Sequence, residues 1–373
     1  MNEAINVALK QIEAARKPAS ALPWEPDKPH AQNIYTFDDP TQTWQTAAGS
    51  DTARSHPDAH DTASGPLISR LALFSWNIDF MLPHGRLRML AALGELRTRI
   101  AALPAETAAV VFLQECVADD LDVIGAQAWV RTGFARTDVD TEMWTSGLYG
   151  TTTLVDKRLG IRGVFRTHFG LTRMERDALF VDVVFPSRQG GATGVHEKEN
   201  DDDESREKEK EKEKEKEKEK IIRLCNTHLE SLALDPPYRP PQVALAARFM
   251  REESVWGALL AGDLNAIQPQ DRTLHDDNGL QDAYLSLGGS EDSEDGYTWG
   301  QQAAPELRKL YGCSRMDKVW YCGGVSVATF GRFGADVEVE GQAERDEIMR
   351  WGGFEKAWAT DHLGVFAEVV VLE

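Results

Sequence analysis

Five short polar clusters stand at the ends of apolar runs in this chain: Trp76-Asn77-Ile78-Asp79, Leu113-Gln114-Glu115, Asn226-Thr227-His228-Leu229-Glu230-Ser231, Gly262-Asp263-Leu264-Asn265 and Thr360-Asp361-His362. A sixth, Arg315-Met316-Asp317-Lys318, opens an apolar run. Carboxylates, carboxamides and histidines at strand ends are what a divalent-metal phosphodiester site requires. Hard oxygen ligands hold Mg²⁺, neutral donors contact the phosphate, and an oriented base or amide places the attacking water. Taken singly, a carboxylate after a strand is more often a turn or cap residue, and a lone histidine there is more often structural. Six such clusters in one chain make a far stronger signal than any of them alone.

The elements that must position these clusters are legible from periodicity. Residues 71–76 read as a strand, and 108–113 form a continuous apolar run of the kind covered on both faces. Leu87, Leu90, Leu93 and Leu96 recur at helical spacing, which predicts a helix over 85–102, and a second helix is expected over 241–251. Further strands are expected at 151–155, 161–168, 178–185, 221–226, 257–261, 318–322, 325–330 and 363–371. Many strands with interspersed helices, in no regular βαβ repeat, predict an α/β (α+β) fold of two packed sheets covered by helices.

Residues 1–66 read differently from the rest. Ile5, Leu9 and Ile12 suit a short amphipathic helix over 2–16, followed by a polar tail in which Trp24, Tyr35, Phe37 and Trp44 stand isolated. Those aromatics are expected to dock on the domain surface or to serve as a partner motif. From 46 to 64 nothing apolar larger than alanine is left to pack, so a flexible linker is expected before a catalytic domain over 67–373. Seven Glu-Lys pairs run from Glu207 to Lys220 within a charged insertion over 187–220. It lies between two expected strands and reads as an expanded solvated loop.

Composition narrows the class. With 41 basic and 61 acidic residues the formal charge is −20, which argues against a protein that coats nucleic acid electrostatically. The segment 201–220 holds 11 acidic and 8 basic residues, so it contributes −3 and leaves −17 for the rest. An enzyme that grips one phosphate through a metal ion and a few local donors remains compatible with that balance. Hydrophobic residues at 42% are enough for a sizeable core, and no stretch approaches the roughly 18 apolar residues of a membrane span. Cys116, Cys225, Cys313 and Cys322 show no CxxC or zinc spacing and read as reduced, mostly buried thiols. The start lacks a basic region followed by an apolar one, so an intracellular location is expected, with no membrane partner.

In order and spacing, Trp76-Asn77, Gln114-Glu115, Gly262-Asp263-Leu264-Asn265 and Asp361-His362 resemble the endonuclease/exonuclease/phosphatase superfamily, across about 67–371 with the Glu-Lys loop excepted. The resemblance implies the DNase I-like four-layer sandwich, two mixed sheets face to face with helices outside and the site where strand ends converge. Trp76-Asn77-Ile78-Asp79, the Thr-His-Leu-Glu-Ser run ending at Ser231, Tyr297-Thr298-Trp299, Glu355-Lys356 and Asp361-His362-Leu363-Gly364 look most like the 5′-tyrosyl-DNA phosphodiesterase branch. That branch removes topoisomerase tyrosyl adducts from DNA 5′ ends with Mg²⁺ or Mn²⁺ and leaves a 5′-phosphate. By resemblance, Glu115 is the main metal ligand, with Asn77 and Asp361 beside the metal. Asp263 activates or aligns the water, Asn265 positions it, His362 stabilises the transition state, and Asp317 orients His362. His228 and Ser231 match phosphate contacts, while Tyr149 and Trp299 match the substrate groove. The implied partner is a DNA 5′ end bearing a tyrosyl or peptide adduct, handled by a nuclear monomer.

One departure bears on substrate. The family commonly follows Gly-Asp-x-Asn with Leu-Arg, and here Ala266-Ile267 follows. Arg239 and Lys309 are the candidates to substitute for that arginine; otherwise the substrate preference differs. A same-superfamily enzyme for RNA ends, nucleotides or inositol phosphates is the first rival, and a catalytically silent binding or scaffold module the second.

Overall fold

Side chains alternate between the two faces of a strand, and the central strands here carry apolar residues on both. In β4 (Arg70–Asn77), Leu71 and Leu73 face one core while Ala72, Phe74 and Trp76 face another. β5 (Thr107–Cys116) divides the same way, Val110 and Phe112 against Val111 and Leu113. Strands patterned so must be covered twice, and the computed structural model, which describes residues 10–47, 68–185 and 219–373, supplies both covers.

Two mixed sheets pack face to face. The larger has the order β14 (Val325–Phe333), β15 (Gly364–Val371), β4, β5, β7 (Gly150–Asp156), β6 (Phe134–Arg136), β2 (Tyr35–Asp38), β3 (Thr43–Thr46). The smaller runs β1 (Pro29–Ala31), β8 (Gly160–His168), β9 (Asp177–Phe185), β10 (Lys220–His228), β11 (Gly257–Asp263), β13 (Asp317–Gly323), β12 (Gln281–Asp282). Leu71, Leu73, Val110 and Phe112 meet Leu179, Val181, Leu224, Leu259 and Val319 in the core between them. Helices Gly85–Ala101 and Ala118–Ala126 cover the larger sheet through Met89, Leu93, Leu96, Leu121 and Ile124. Helix Arg239–Met250 covers the smaller through Val243, Ala246, Ala247 and Met250. The result is the four-layer α/β sandwich, and the long expected elements are all present within a few residues of their predicted ends. Among the described residues no helix is long and apolar enough to cross a membrane.

The N-terminal part departs from a helix with a mostly flexible tail. Residues 10–15 are helical, within the expected 2–16. Beyond them the chain adds β1 to the edge of one sheet and the β2–β3 hairpin to the edge of the other. Trp24 stacks on His168 with ring centroids 4.0 Å apart and planes 16° from parallel. Phe37 and Trp44 lie under the guanidiniums of Arg131 and Arg136, at 4.5 and 4.2 Å. Three- and four-residue strands among Pro, Asp and Thr carry no periodic signal, since they become strands only by pairing with an existing edge. Residues 48–64 of the expected linker lie outside the described residues, as do 187–218 of the Glu-Lys insertion. The strands flanking that insertion are direct antiparallel neighbours, with Phe185 opposite Lys220.

Candidate active site

Each sheet has one central parallel pair, and register does the first part of the assembly. β4 and β5 run parallel with Asn77 opposite Gln114, and β10 and β11 run parallel with His228 opposite Asp263. β13 runs antiparallel to β11 and puts Asp317 on the other side of Asp263. Gly262 permits this approach, because a Cβ there would lie 1.7 Å from the Thr227 carbonyl oxygen. Behind the site Gln114 of one sheet donates to Asn226 of the other at 2.8 Å, and Asn226 donates to the Thr152 carbonyl at 2.9 Å. This polar layer ties the two strand-end rims together.

Backbone distortion then aims individual side chains. The β5–β7 ladder slips between Leu113 and Cys116, and Glu115 sits in that bulge with φ of 58°. A bulge re-aims a side chain that regular pleating would hold against a sheet face. Glu115 consequently points along the rim, where its Oε2 accepts the Phe80 amide at 3.1 Å. Asn265, at φ of 46°, donates its amide to Asp263 Oδ1 at 2.9 Å and its side-chain nitrogen to the Leu229 carbonyl at 3.1 Å.

Asp263 is the hub. Asn77 Nδ2 donates to its Oδ2 at 3.0 Å, His228 Nε2 lies 3.3 Å from that oxygen, and His362 Nε2 lies 3.8 Å away. Burial pushes the Asp263 pKa upward, but His362 and His228 outweigh it and hold the carboxyl below the usual range. His362 Nδ1 donates to Asp317 at 2.8 Å. Burial opposes the imidazolium of His362, and Asp317, Asp263 and Asp361 together overcome it, so its pKa stands well above the ordinary histidine value. For His228 the tautomer is fixed locally. Arg176 Nη1 donates to its Nδ1 at 2.6 Å, and since arginine has no acceptor, the ring proton must reside on Nε2, facing the site.

A second group is purely anionic. Asp79, Glu115 and Asp361 lie within electrostatic reach of one another, and burial and the neighbouring carboxylates raise the proton affinity of Asp79 and Asp361. Burial first, then Asp361 and Glu115, push Asp79 up to about 8 against the opposing pull of Arg88. Burial likewise raises Asp361, with Glu115 and Asp263 adding to it against His362 and Trp299. These three carboxylates, with Asn77 Oδ1 accepting the Asp79 amide at 2.9 Å, offer hard oxygens and an excess of negative charge. That donor set fits Mg²⁺ or Mn²⁺ and lacks the thiolates or paired imidazoles of softer metals. Asp263, Asp317 and His362 also gather within 4.8 Å of one another, but the His362–Asp317 hydrogen bond makes that trio a proton-holding arrangement.

The expected site residues divide accordingly. Asn77, Glu115, His228, Asp263, Asn265, Asp317, Asp361 and His362 come together. Trp299 joins them, with Nε1 donating to Asp361 Oδ2 at 2.7 Å. Ser231, half-buried in the loop after β10, makes no hydrogen bond to the cluster among the described residues. Tyr149 is only 3% exposed: its hydroxyl donates to the Met174 carbonyl at 2.6 Å and its ring stacks on Phe80 at 4.3 Å. It supports the wall of the site from behind and offers little surface to a substrate. Arg239 does not stand in for the family arginine. It is 2% exposed and donates to the carbonyls of Glu230 and Leu232, at 2.9 and 2.8 Å, and to Asp271, so it holds the Ser231 loop from inside. Lys309 stays exposed on helix Pro305–Tyr311. Asp79, Arg88 and Arg176 were not singled out as site residues in the sequence. Asp79 was visible within the Trp76–Asp79 cluster, whereas the two arginines had no local signal.

Paired sheets with acids, amides and histidines converging at one rim are the architecture of a family whose members hydrolyse phosphoester bonds. The endonuclease/exonuclease/phosphatase family matches residues 74–362, and the chain belongs to it. No curated protein sequence matches the chain. Among solved structures the fold resembles truncated Caenorhabditis elegans TDP2, at 19% identity over 81% of this chain and 98% of that one, with a TM-score of 0.55. It also resembles humanized D. rerio TDP2 carrying 14 mutations, at 18% identity over 80% and 98%, TM-score 0.53. D. rerio TDP2 complexed with single strand DNA product matches at 18% identity over 81% and 99%, TM-score 0.52.

Proposed function

We propose that the protein is a Mg²⁺-dependent phosphodiesterase that hydrolyses the 5′-phosphotyrosyl bond between DNA and a trapped topoisomerase tyrosine, with Mn²⁺ able to substitute. On this reading it acts as a nuclear monomer in DNA repair. The observation that carries the proposal is the indole of Trp299, bonded through Nε1 to Asp361 at 2.7 Å. It sets an aromatic face beside the carboxylates and His362, where a tyrosyl ring or an unpaired terminal base would stack.

Glu115, Asp361 and Asn77, joined by Asp79, would hold the ion. When bound, the ion supplies charge neutralisation at the phosphoryl oxygens. Asp263, kept ionised by its two histidines, accepts a hydrogen bond from water and aligns it on phosphorus. Its low proton affinity makes it an aligning group more than a base. Asn265 fixes Asp263 through the backbone. His228 donates from Nε2 and His362 donates as imidazolium, so that both meet the charge developing on phosphorus. The water oxygen bonds to phosphorus, the bond from phosphorus to the tyrosyl oxygen breaks, and the proton passes to the departing phenolate. Phenolate, with a conjugate acid pKa of roughly 10, leaves with little acid assistance.

A second reading has its own observation. Ile267, where the family commonly places arginine, is 41% exposed, and no strand-binding cation replaces it from Arg239. A smaller phosphoester on an RNA end, nucleotide or inositol phosphate would need no such cation. The deciding experiment is cleavage of a single-stranded oligonucleotide bearing a 5′-phosphotyrosyl group, with Mg²⁺ and with chelator, beside Asp263→Ala. Metal-dependent release of tyrosine that the variant lacks supports the first reading. Hydrolysis of a generic aryl phosphodiester without tyrosine release favours the second. Inactivity on both points to a binding module.

A further inference from the structure

Two loops carry the anionic part of the site, and one buried side chain touches both. Arg88 lies in the first turn of helix Gly85–Ala101 and is 2% exposed. Its Nη1 donates to the carbonyls of Ile78 and Ala359 at 2.6 and 2.8 Å. Nη2 donates to the carbonyls of Asp79 and Leu82 at 2.8 and 2.9 Å, and Nε to that of Pro83 at 2.9 Å. Four of these carbonyls belong to the turn after β4 that presents Asn77 and Asp79. The fifth stands two residues before Asp361. The planar fork of guanidinium can bridge five acceptors at once, which an ammonium cannot.

We infer that Arg88 is a positioning residue that clamps the Asp79 and Asp361 loops into one ligand set for the divalent ion; this rests on the metal chemistry proposed above. Two details favour a positional role. Asp79 has φ of 56°, a left-handed conformation that aims its side chain out of the strand direction and that the bonds of Arg88 to the Ile78 and Asp79 carbonyls brace. The neighbouring bonds, Thr360 Oγ1 to the Asn77 carbonyl at 2.8 Å and Trp76 Nε1 to the His362 carbonyl at 3.0 Å, tie the same two segments just before the turn, and the Ile78 and Phe80 amides reach Gln114 and Glu115. The turn's carbonyls at Ile78, Asp79, Leu82 and Pro83 go to Arg88. The charge by itself would act in the opposite sense. A fixed cation within electrostatic reach of Asp79, Asp361 and Glu115 repels an incoming ion. Removing a mere charge would therefore tighten metal binding, whereas removing a clamp weakens it.

The sign of the change makes the test. Mn²⁺ binding to the full chain is titrated without substrate, by electron paramagnetic resonance of the free ion, for the wild type, Arg88→Lys, Arg88→Gln and Glu115→Gln. Near-ultraviolet circular dichroism establishes that each variant is folded at the temperature used. The clamp predicts Mn²⁺ affinity about 10- to 100-fold weaker in Arg88→Lys and Arg88→Gln, the usual range for groups that orient metal ligands. Unchanged affinity in Arg88→Lys, or equal or tighter affinity in a folded Arg88→Gln, overturns it. If Arg88→Gln does not fold, Arg88→Lys decides, because it keeps the charge and loses the fork. A wild type that binds no Mn²⁺ would remove the metal reading itself, and this inference with it.

Discussion

His168 offers a quantitative check on how the N-terminal segment belongs to the fold. It lies at the end of β8 beneath Trp24, its Nδ1 3.0 Å from Thr145 Oγ1 and 3.9 Å from Asp177. Burial, against the pull of Asp177, lowers its pKa from 6.5 to about 3. The folded protein therefore keeps His168 neutral where an unfolded chain would protonate it. Its contribution is fully present above pH 6.5 and is lost progressively as pH falls toward 3. Between pH 7.5 and pH 5 the loss from this one group is about 2 kcal/mol, taking roughly 1.4 kcal/mol per pH unit below the unfolded pKa. His168→Gln keeps a hydrogen-bonding side chain that never titrates. Urea unfolding at the two pH values should show the wild type losing about 2 kcal/mol more than His168→Gln, since the carboxylates shared by both largely cancel. Trp24→Ala should remove most of that difference by uncovering the imidazole, while destabilising the protein at both pH values by about 3 kcal/mol through the lost aromatic packing. Equal pH dependence in wild type and His168→Gln would refute the argument, and with it the placement of the 24–31 segment over β8.

Three further predictions concern the site. Asp317→Asn removes the carboxylate that raises the His362 pKa, so activity should fall roughly 10- to 100-fold, the equivalent of a charge-assisted hydrogen bond, and the basic limb of the pH–rate profile should move to lower pH; an unmoved limb would mean that His362 does not act as imidazolium. Asp79→Asn should raise the Mg²⁺ concentration for half-maximal activity about tenfold while leaving the rate at saturating metal within a few-fold, and an unchanged metal requirement would remove Asp79 from the ligand set. Ile267→Arg should lower KM for a single-stranded oligonucleotide and steepen the dependence of log affinity on log salt by roughly one unit, with kcat unchanged; no change in salt slope would show that strand does not pass this position.

What the sequence disclosed and what it concealed follow from two different physical sources. The strand-end clusters were legible because a run such as 71–76 ends where the buried pattern gives way to Asn77, and such breaks are visible in one dimension. Asp263 and His228 were legible as residue types at strand ends, but their pairing comes from the parallel register of β10 and β11. Glu115 was legible as a residue type, but not as a residue in a bulge with positive φ, which is set by the β5–β7 ladder and not by its neighbours in sequence. Arg88 and Arg176 were invisible for a related reason. Each is a long cation in a helix or loop, which ordinarily lies in solvent, and only the three-dimensional supply of carbonyls or an imidazole draws it inward. Arg239 misled in the same way, since a basic residue near a phosphate motif looks available until its donors are seen to be taken up by Glu230, Leu232 and Asp271. The edge strands β1, β2 and β3 are the backbone counterpart, made by pairing and unmarked in sequence.

The overall acidity of the chain becomes intelligible at the site. Five carboxylates, Asp79, Glu115, Asp263, Asp317 and Asp361, lie at the strand-end rim of the site, and the formal charge of the protein is −20. The nearby cations are not arranged as a phosphate cradle. Arg88 faces backbone carbonyls, and Arg176 contacts His228. On the proposed reading, attraction for a phosphodiester would come from groups whose charge is set within the site: the imidazolium held by Asp317, the Nε2 proton that Arg176 forces onto His228, and an ion held by the carboxylates. The net charge of −20 works against long-range attraction of nucleic acid, so selectivity would rest on contacts at the scissile group and its aromatic neighbour Trp299, and not on the length of the strand attached to it.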